Sequence, residues 1–336
     1  MFRSTPRKVL VTGGAGFIGS HLVERLLEAG DEVWVVDDLS TGRLANLEAV
    51  RSHPSLHLVV DSIMNWPLMD DVVGQVEAVY HLAAAVGVRK IMEEPVATIT
   101  TNVRGTEIVL DCCHRHGAAL FLASTSEIYG KGGERLHEEH DRIMGSTSRR
   151  RWAYACTKVL DEFLALAYHQ ERGLPVVVGR FFNTVGPRQS GQWGMVVPRL
   201  VEQALAGDPL TVYGTGEQRR SFLHVDDAVR AVVGLMERKE ALGQVYNIGS
   251  EAELAILALA ERVKGRTGSS SPVQLIPYEQ AYGEGFEDME RRQPDTTKLR
   301  RLLDWAPTKG IDAIIDEVAA DLTARPAVTS AGSSAG

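Results

Sequence analysis

A tyrosine and a lysine four residues apart, Tyr154 and Lys158, are the residues of this sequence best suited to acid–base chemistry. Residues i and i+4 of a helix lie on one face, so the two side chains would be neighbours. A phenol with an ordinary pKa near ~10 is a poor base at neutral pH, but a nearby ammonium favours its phenolate. Tyr154 could then take the proton of a substrate hydroxyl while a hydride leaves the same carbon.

Polar side chains that directly follow an apolar run support this interpretation. Residues 119–123 predict a strand, and Ser124-Thr-Ser-Glu127 come next. At the carboxyl end of a parallel strand, such side chains face the crevice in which open α/β sheets bind ligands. Thr125, or a serine beside it, would hold the substrate oxygen through both transfers. The catalytic candidates are therefore Tyr154, Lys158, Thr125, Ser126 and Glu127.

A glycine-rich turn, Gly13-Gly-Ala-Gly16-Phe-Ile-Gly19, lies between a predicted strand and a predicted helix. Gly13 permits a tight turn, Gly16 lets the backbone approach a pyrophosphate, and Gly19 allows close packing of helix on strand. The free N–H groups at the helix N-terminus would bind the phosphates. We predict a dinucleotide site here that also includes Phe17 and Ile18. The positive nicotinamide of the oxidised dinucleotide would further favour a tyrosine phenolate.

Residues at the ends of the next strands bear on the choice of dinucleotide. Asp37 ends the second predicted strand, where a carboxylate accepts from ribose hydroxyls and repels a 2′-phosphate. Asp38 could share this role, whereas Arg43 is close enough to favour a phosphate. Asp61 follows the third strand and could accept from the adenine amine or cap a helix. The sequence therefore predicts NAD rather than NADP as the cofactor.

The fourth predicted strand ends in His81-Leu-Ala-Ala84, whose small residues would let the backbone pass close to the cofactor. Leu82, Ala83 and Ala84 are therefore cofactor-binding candidates. Tight packing of strand on helix would explain the same small residues.

Short apolar runs alternate with helical patterns through the first half of the chain, which predicts a parallel sheet covered on both faces. The predicted strands are 8–12, 32–36, 56–60, 78–82, 119–123 and 175–179, and the predicted helices include 21–29, 96–115 and 154–171. The pattern changes after residue 180. There it predicts helix 196–206, strand 210–213, a helix after 226, strand 245–248 and helix 254–264.

We predict an α/β fold, a doubly wound parallel sheet of the Rossmann type with a second, smaller α/β substrate domain. The predicted boundaries are 1–182 for the NAD-binding domain and 183–322 for the substrate domain, which is partly interleaved with the first. Residues 323–336 are rich in small polar residues and predict a disordered tail.

The composition excludes several classes of partner. The chain has 336 residues, with 36 Lys and Arg against 44 Asp and Glu, and a formal charge of −8. Without a basic surplus, we predict binding neither to nucleic acid nor to an anionic membrane surface. The three cysteines form no Cys-x-x-Cys pair, which indicates reduced thiols and no metal site. The N-terminal apolar run is too short for a signal peptide or membrane span, so we expect a cytoplasmic protein.

These motifs together resemble the extended short-chain dehydrogenase/reductases of the nucleotide-sugar epimerase, dehydratase and decarboxylase group. The resemblance covers about residues 8–320 and rests on Thr12-Gly-Gly-Ala-Gly-Phe-Ile-Gly19, Asp37-Asp-Leu-Ser-Thr-Gly42, His81-Leu-Ala-Ala84, Asn102-Val-Arg-Gly-Thr106, Ser124-Thr-Ser-Glu-Ile-Tyr-Gly130, Tyr154-x-x-x-Lys158, Arg180-Phe-Phe-Asn-Thr-Val-Gly-Pro187, the segment from Tyr213 to Asp226, and Tyr246-Asn-Ile-Gly249. This order of motifs is specific for the group but not for one reaction within it.

The resemblance implies NAD as a recycled cofactor and a UDP-sugar as the substrate. Tyr154 would be the base, Lys158 its electrostatic partner and ribose ligand, and Thr125 the hydroxyl that orients the sugar. Asn102 and Ser124 join the cofactor-binding candidates. A homodimer is also implied, because the family usually pairs through two long helices, here 96–115 and 154–171.

The resemblance also implies the contacts to the sugar nucleotide. Asn183 would contact the substrate, Arg220 would clamp its diphosphate, and Arg292 would reach the same phosphates or a sugar carboxylate. Guanidinium groups suit this role because they bind phosphate oxygens in a bidentate fork. The further substrate-binding candidates are Val88, Arg89, Val197, Val212 and Tyr213, with Arg219 and Arg291 as replacements if the register differs by one.

The motifs leave the reaction open among related enzymes. All oxidise the sugar, usually at C4, and later return the hydride. Ser126-Glu127 replaces the Asp-Glu of the dehydratases, whereas Thr125-Ser-Glu127 and Arg292 resemble the decarboxylases. Val86-Gly-Val-Arg-Lys90, and a Tyr154 followed by no acidic residue, resemble the epimerases. We predict a 4-epimerase of a UDP-hexose or UDP-hexuronate, with a UDP-glucuronate decarboxylase as the alternative and a non-catalytic dinucleotide-binding protein as the least favoured reading.

Overall fold

The structure, a computed structural model, describes residues 6–85, 94–133, 135–191, 195–282 and 291–325. Its centre is a seven-stranded parallel sheet in the order β12-β7-β5-β4-β1-β2-β3. The strands of this sheet are β1 (Lys8–Thr12), β2 (Glu32–Asp37), β3 (Leu56–Val60), β4 (Ala78–His81), β5 (Ala119–Thr125), β7 (Val176–Phe181) and β12 (Gln244–Ile248). Their interior residues are apolar and buried because helices cover both faces, as predicted for a doubly wound sheet.

Helices pack on the two faces of the sheet through separate apolar clusters. One face carries α1 (Phe17–Glu28), α6 (Val225–Met236) and α9 (Thr297–Leu303). The other face carries α2 (Trp66–Val73), α3 (Pro95–His116) and α4 (Trp152–Arg172). The predicted fold class is therefore confirmed.

A smaller unit has its own apolar core, formed by two strands and three helices. These are α5 (Val196–Ala206), β9 (Leu210–Tyr213), α7 (Ile256–Thr267), β14 (Val273–Ile276) and α10 (Ile311–Ala324). The short helix α8 (Tyr278–Tyr282) follows β14. Short strands connect this unit to the main sheet, namely β6 (Arg135–Leu136), β8 (Thr184–Val185), β10 (Arg219–Ser221), β11 (Leu223–His224), β13 (Glu253–Ala255) and β15 (Arg291–Pro294).

The chain passes between the two units more than once. Strand β12 pairs in parallel with β7 at the edge of the main sheet, and α6 packs against α1. The exact division at 182 stays a prediction. The predicted tail began too early, because α10 continues to Ala324, and residues 326–336 lie outside the described part of the chain.

Several predicted boundaries shift by a few residues. Helix α1 begins at Phe17 rather than at 21, because Gly16 has an extended conformation and starts the helix within the glycine-rich turn. Strand β5 continues to Thr125, so the cofactor-binding candidate Ser124 and the catalytic candidate Thr125 belong to the strand itself. The predicted helix 254–264 begins only at Ile256, because Glu253–Ala255 pairs with β10.

The cysteines are free thiols, two of them buried and Cys156 exposed. Among the described helices, none combines the length and apolar composition needed to cross a bilayer.

Candidate active site

A cleft of about 650 Å³ lies at the carboxyl ends of the central strands and continues against the smaller unit. This is the position at which open parallel sheets bind ligands. The predicted site residues that line the cleft are Gly13, Gly16, Phe17, Ile18, Gly19, Asp37, Asp38, Asp61, Leu82, Ala83, Ala84, Ser124, Thr125, Ser126, Glu127, Tyr154, Lys158, Asn183, Val197, Tyr213, Arg220 and Arg292.

The glycine-rich turn has no room for side chains. Gly13 has φ +72°, and a Cβ there would lie 2.8 Å from the Ala83 nitrogen. A Cβ on Gly19 would lie 2.1 Å from the Gly13 carbonyl oxygen. No acidic residue occupies the first turn of α1, so its N-terminal amides and positive dipole end face the cleft without a competing carboxylate. The turn fits a pyrophosphate.

Asp37 is fixed at the end of β2 by two backbone amides. Its Oδ2 accepts from the Ala15 N–H at 2.9 Å and its Oδ1 from the Leu39 N–H at 2.8 Å. Burial raises the pKa of the Asp37 carboxyl, against the effect of these hydrogen bonds. Each oxygen retains a second lone pair for a ribose hydroxyl. With Asp38 beside it, the site disfavours a 2′-phosphate, although the exposed Arg43 also lines the cleft.

Of the two interpretations of Asp61, the helix cap is wrong, because the N-cap position before α2 is Asn65. A contact of Asp61 with adenine stays a prediction. Asp61 lines the cleft, and it also organises the turn before α2. Its carboxylate accepts from the Ser62 N–H at 2.6 Å and from Asn65 Nδ2 at 2.9 Å.

The first turns of α4 present Tyr154 and Lys158 to the cleft, and the Tyr154 hydroxyl is hydrogen-bonded to Thr125. Burial raises the pKa of the Tyr154 phenol, and the nearby carboxylates of Glu127 and Asp161 raise it further. Lys158 Nζ donates to Asp161 Oδ2 at 3.0 Å. In the chain by itself, therefore, the expected lowering of the Tyr154 pKa by the Lys158 ammonium is absent, because Asp161 balances that charge.

Glu127 lies between two arginines that, like Tyr154, line the cleft. Its Oε1 lies 2.5 Å from Arg292 Nη1, and its Oε2 lies 3.6 Å from Arg151 Nη2. Arg292 Nη1 also lies 3.5 Å from the Ser126 hydroxyl oxygen. The two guanidinium groups and one carboxylate leave a net positive charge beside the catalytic candidates.

Sequence reasoning did not identify Arg151 or Asp161 as site residues. Arg151 lines the cleft, and its position three residues before Tyr154 is the signal that could have identified it. Asp161 lies three residues after Lys158, a spacing at which oppositely charged side chains meet on a helix.

A buried polar network supports the end of β5 from below. The Ser124 hydroxyl donates to Glu162 at 2.5 Å, and Arg180 donates to the same carboxylate at 2.7 and 2.9 Å. Arg180 also donates to the Tyr129 hydroxyl at 2.8 Å, and Tyr129 donates to Asn247 at 2.7 Å. These bonds join β5, α4, β7 and β12 directly behind the site.

Two predicted site residues do not line the cleft. Asn102 is buried, and its amide bonds the N–H and carbonyl of Ala85 at 2.7 and 3.3 Å. It therefore shapes the segment after β4 rather than forming a wall of the cleft. Val212 is fully buried in the core of the smaller unit, because alternation along β9 turns Tyr213 to the cleft and Val212 away from it.

The remaining substrate-side candidates have these positions. Asn183 has φ +29° and donates from Nδ2 to the Ser221 carbonyl at 2.9 Å. Arg220 is buried and donates to the Arg219 carbonyl at 2.8 Å. Arg219 does not line the cleft and lies 4.0 Å from Glu253. The predicted residues Val88 and Arg89, with the segment 86–90, and the side chain of Arg291 lie outside the described residues.

Within the described residues, one cluster has side chains of metal-ligand type, His224, Asp226 and Glu317. Lys309 Nζ lies 2.8 Å from carboxylate oxygens of both acids, so an ammonium already bridges them. That the protein has no metal site stays a prediction.

Comparison with known proteins gives a consistent group of matches. A model of the NAD dependent epimerase/dehydratase family matches residues 9–249. A UDP-N-acetyl-alpha-D-glucosaminuronate decarboxylase of Bacillus cytotoxicus is 41% identical over 302 residues, which cover 90% of this chain and 93% of the relative. UDP-glucuronic acid decarboxylase 1 of Danio rerio is 37% identical over 303 residues, 90% of this chain and 69% of the relative.

Among solved structures, a UDP-glucose 4-epimerase of Thermotoga maritima with UDP-glucose has a TM-score of 0.85 at 29% identity, with 94% of this chain and 98% of that chain covered. A UDP-glucuronic acid 4-epimerase of Bacillus cereus, solved with UDP-glucuronic acid and NAD, has a TM-score of 0.85 at 28% identity, with 94% and 99% covered.

Proposed function

Because the chain belongs to the NAD-dependent epimerase/dehydratase family, we propose that it decarboxylates a UDP-hexuronic acid through a transient 4-ketone. Family membership confirms the predicted cofactor, NAD, and the predicted class of enzyme. The motifs favoured a 4-epimerase, but the curated relatives favour the decarboxylase alternative.

The buried Arg292 guanidinium, which lines the cleft, carries the proposal. Arg292 is 7% exposed, and its Nε is buried without a hydrogen-bond partner among the described residues. A guanidinium with donors to spare at the substrate side of a cleft fits a carboxylate. In a UDP-hexuronate, the carboxylate bound there contains C6, the carbon that decarboxylation removes. A neutral hexose has no charged group at C6 for Arg292 to bind.

The chain's own residues divide the work of the reaction. Tyr154 takes the proton of the C4 hydroxyl, and Thr125 holds that oxygen in place. Arg292 holds the carboxylate. Once C4 is a ketone, the bond between C5 and C6 can break and its electron pair passes into that ketone; carbon dioxide leaves, and C5 then takes a proton from solvent. When bound, NAD would supply the redox chemistry, since its nicotinamide can accept a hydride from C4 and later return it. The glycine-rich turn, Asp37 and Lys158 would hold this cofactor.

The smaller unit would bind the rest of the UDP-sugar. Arg220 would neutralise the diphosphate, since it is a buried cation that lines the cleft. Asn183 and Val197 lie along the same wall. Tyr213 lies under the Arg199 guanidinium, 4.4 Å from it, and offers a flat surface to a nucleobase.

A 4-epimerase of a UDP-hexuronate is the second candidate. It is favoured by the likeness to the UDP-glucuronic acid 4-epimerase over nearly the whole chain and by the epimerase-like residues after Tyr154. The same Tyr154 and Arg292 would serve it, because both reactions begin with oxidation at C4. A purely binding role has least support, since Tyr154, Lys158 and Thr125 all face one cleft.

We also propose a homodimer in the cytoplasm. Helices α3 and α4 pack together and expose apolar side chains, Val96 at 77%, Ile99 at 42%, Leu160 at 50% and Phe163 at 69%. An exposed apolar surface on two paired helices suits a second copy of the same surface. The free thiols fit a reducing compartment.

A time course by proton NMR tests the reaction. Purified protein with NAD⁺ receives UDP-glucuronate, UDP-N-acetylglucosaminuronate, UDP-glucose or UDP-xylose in separate samples, and released carbon dioxide is trapped. The proposal expects a UDP-pentose and carbon dioxide from a hexuronate, and no change of UDP-glucose. A C4 epimer without carbon dioxide would establish the second candidate instead. No change with any substrate would overturn both reactions.

A further inference from the structure

A buried ion pair lies behind the catalytic candidates, between Lys158 and Asp161 of α4. Lys158 is 3% exposed and Asp161 is 1% exposed, and the distance from Nζ to Oδ2 is 3.0 Å. Burial raises the pKa of the Asp161 carboxyl, but Lys158 opposes this effect. The mechanism proposed above uses the lysine and leaves the aspartate without a role.

Hydrogen bonds continue from this pair through buried residues behind the cleft. Asp161 accepts from the Thr106 hydroxyl, and Thr106 Oγ1 lies 3.2 Å from His81 Nε2. His81 Nδ1 lies 2.7 Å from Thr12 Oγ1, which also accepts from the Ala83 N–H at 3.3 Å. The line therefore runs from α4 through α3 and β4 to β1, one residue before the glycine-rich turn.

We propose that Asp161 is a positioning residue, whose carboxylate fixes the Lys158 ammonium and ties it, through Thr106 and His81, to the strand that precedes the nucleotide turn. Lys158 is thereby held in one orientation toward the cleft, although its side chain has four rotatable bonds. The proposal depends on the NAD chemistry of the family, and it holds for decarboxylation and epimerisation alike.

The surrounding charges make Asp161 the group that balances Lys158. Glu162, the next residue on α4, is neutralised by Arg180 of β7 at 2.7 Å. Glu127, after β5, is paired with Arg292. His81 of β4 is neutral, because burial lowers its pKa to about 3. Among the described residues, Tyr154 is the remaining titratable group that faces the pair, and Glu127 and Asp161 both disfavour its phenolate.

Replacement of Asp161 by asparagine therefore has two consequences. The Lys158 ammonium is no longer neutralised, so positive charge beside Tyr154 increases and its phenolate is favoured. Nζ also loses its fixed orientation, which weakens its contact with the ribose of NAD⁺. If Asp161 had only a structural role, its replacement would change the stability of the fold but neither the ionisation of Tyr154 nor the affinity for NAD⁺.

The experiment compares Asp161→Asn and Asp161→Glu with the holoenzyme and with a matched control, Asp227→Asn. Asp227 is also 1% exposed and also pairs with an arginine three residues later, Arg230 at 2.6 Å, but it does not line the cleft. For each protein we would measure the pH profile of kcat/KM, the Kd for NAD⁺ by calorimetry, and Tm.

For Asp161→Asn we expect the acidic limb of the profile to move to lower pH by about 0.5 to 1 unit and the Kd for NAD⁺ to rise about 10-fold. Asp161→Glu restores the charge and should return the profile to that of the unaltered enzyme, with an intermediate Kd. Asp227→Asn should lower Tm alone.

An unchanged profile and Kd in Asp161→Asn, with only a lower Tm, would overturn the proposal. If Asp161→Asn does not fold, Asp161→Glu provides the test. A Kd for NAD⁺ equal to that of the unaltered protein would then contradict the proposal. Failure of the unaltered enzyme to turn over any UDP-sugar would refute the proposed function, yet the NAD⁺ affinities would still test Asp161.

Discussion

Arg292 Nη1 lies 2.5 Å from Glu127 Oε1, although one residue belongs to β15 and the other follows β5. Parallel pairing of β15 with β10 and with β6 brings the two together at the substrate side of the cleft. Replacement of Arg292 by glutamine keeps a polar side chain and removes the charge. We expect the rate of carbon dioxide release to fall at least ~100-fold, because the substrate carboxylate loses its counter-ion.

The same variant should bind UDP-xylose, which has no C6 carboxylate, with nearly unaltered Kd. Calorimetry with UDP-xylose and UDP-glucuronate measures this difference in selectivity. Arg262→Gln, in an exposed pair with Asp312, is the control and should change neither Kd. Equal loss of affinity for both ligands in Arg292→Gln would indicate a contact to the diphosphate instead.

Tyr154→Phe removes the proposed base and keeps the ring that packs in the site. We expect turnover to fall by about 10²- to 10⁴-fold, while the Kd for NAD⁺ changes little. Single-turnover formation of NADH, followed at 340 nm, measures the oxidation step directly. Turnover at the rate of the unaltered enzyme would show that another group takes the proton.

Gly19→Ala tests the contact of the glycine-rich turn with α1. A Cβ at this position would lie 2.1 Å from the Gly13 carbonyl oxygen, so the turn must move and NAD⁺ binding should weaken at least ~10-fold. Gly265→Ala is the matched control, because that glycine lies in α7 with nothing within 4 Å of an added Cβ. The control should raise stability by about 0.5–1 kcal/mol, and similar NAD⁺ affinities in both variants would disprove the assigned role of Gly19.

Acid should destabilise the fold through His81. Burial lowers its pKa to about 3, far below the ordinary value of 6.5, so the unfolded chain binds the proton more readily. The contribution of neutral His81 to the free energy of unfolding is therefore fully present above pH ~6.5. Below that pH it falls by about 1.4 kcal/mol per pH unit until the folded-state pKa is reached. Urea unfolding at pH 7 and 4.5 measures this loss, which should be about 2.5 kcal/mol smaller in His81→Asn. Identical pH dependence in the two proteins would contradict it.

The proposed homodimer predicts that Phe163→Glu is monomeric, since a charge would be buried between two copies of α4. Light scattering after size-exclusion chromatography gives the mass. Leu275→Glu alters an apolar residue of similar exposure, 52%, on β14 and should leave the mass unchanged. An unaltered protein that is already monomeric would remove this part of the proposal.

Local patterns in the sequence predicted the central strands and the residues at their carboxyl ends. Gly13, Gly19 and Tyr154 could be found this way, because strand, turn and helix follow one another directly along the chain. The position of Val212 away from the cleft could not be predicted, because a short strand gives no signal of which alternate side chain meets the cleft.

Contacts between distant segments could not be predicted in the same way. The pairing of Arg292 with Glu127 depends on the register of β15 against two short strands, which no local periodicity specifies. The expected lowering of the Tyr154 pKa includes the charge of bound NAD⁺ and stays a prediction. In the chain by itself burial raises that pKa, and the carboxylates of Glu127 and Asp161, which sequence spacing did not bring into the argument, raise it further.

The return of β12 to the main sheet has a consequence for how this protein could be divided or recombined. Expression of the first 182 residues alone would leave β7 as an open edge, with a row of unpaired amides and carbonyls inviting aggregation. The smaller unit is therefore not an independent module that evolution or protein engineering could exchange by itself. A transplanted unit must include residues 244–248, or the exposed edge of β7 must be redesigned.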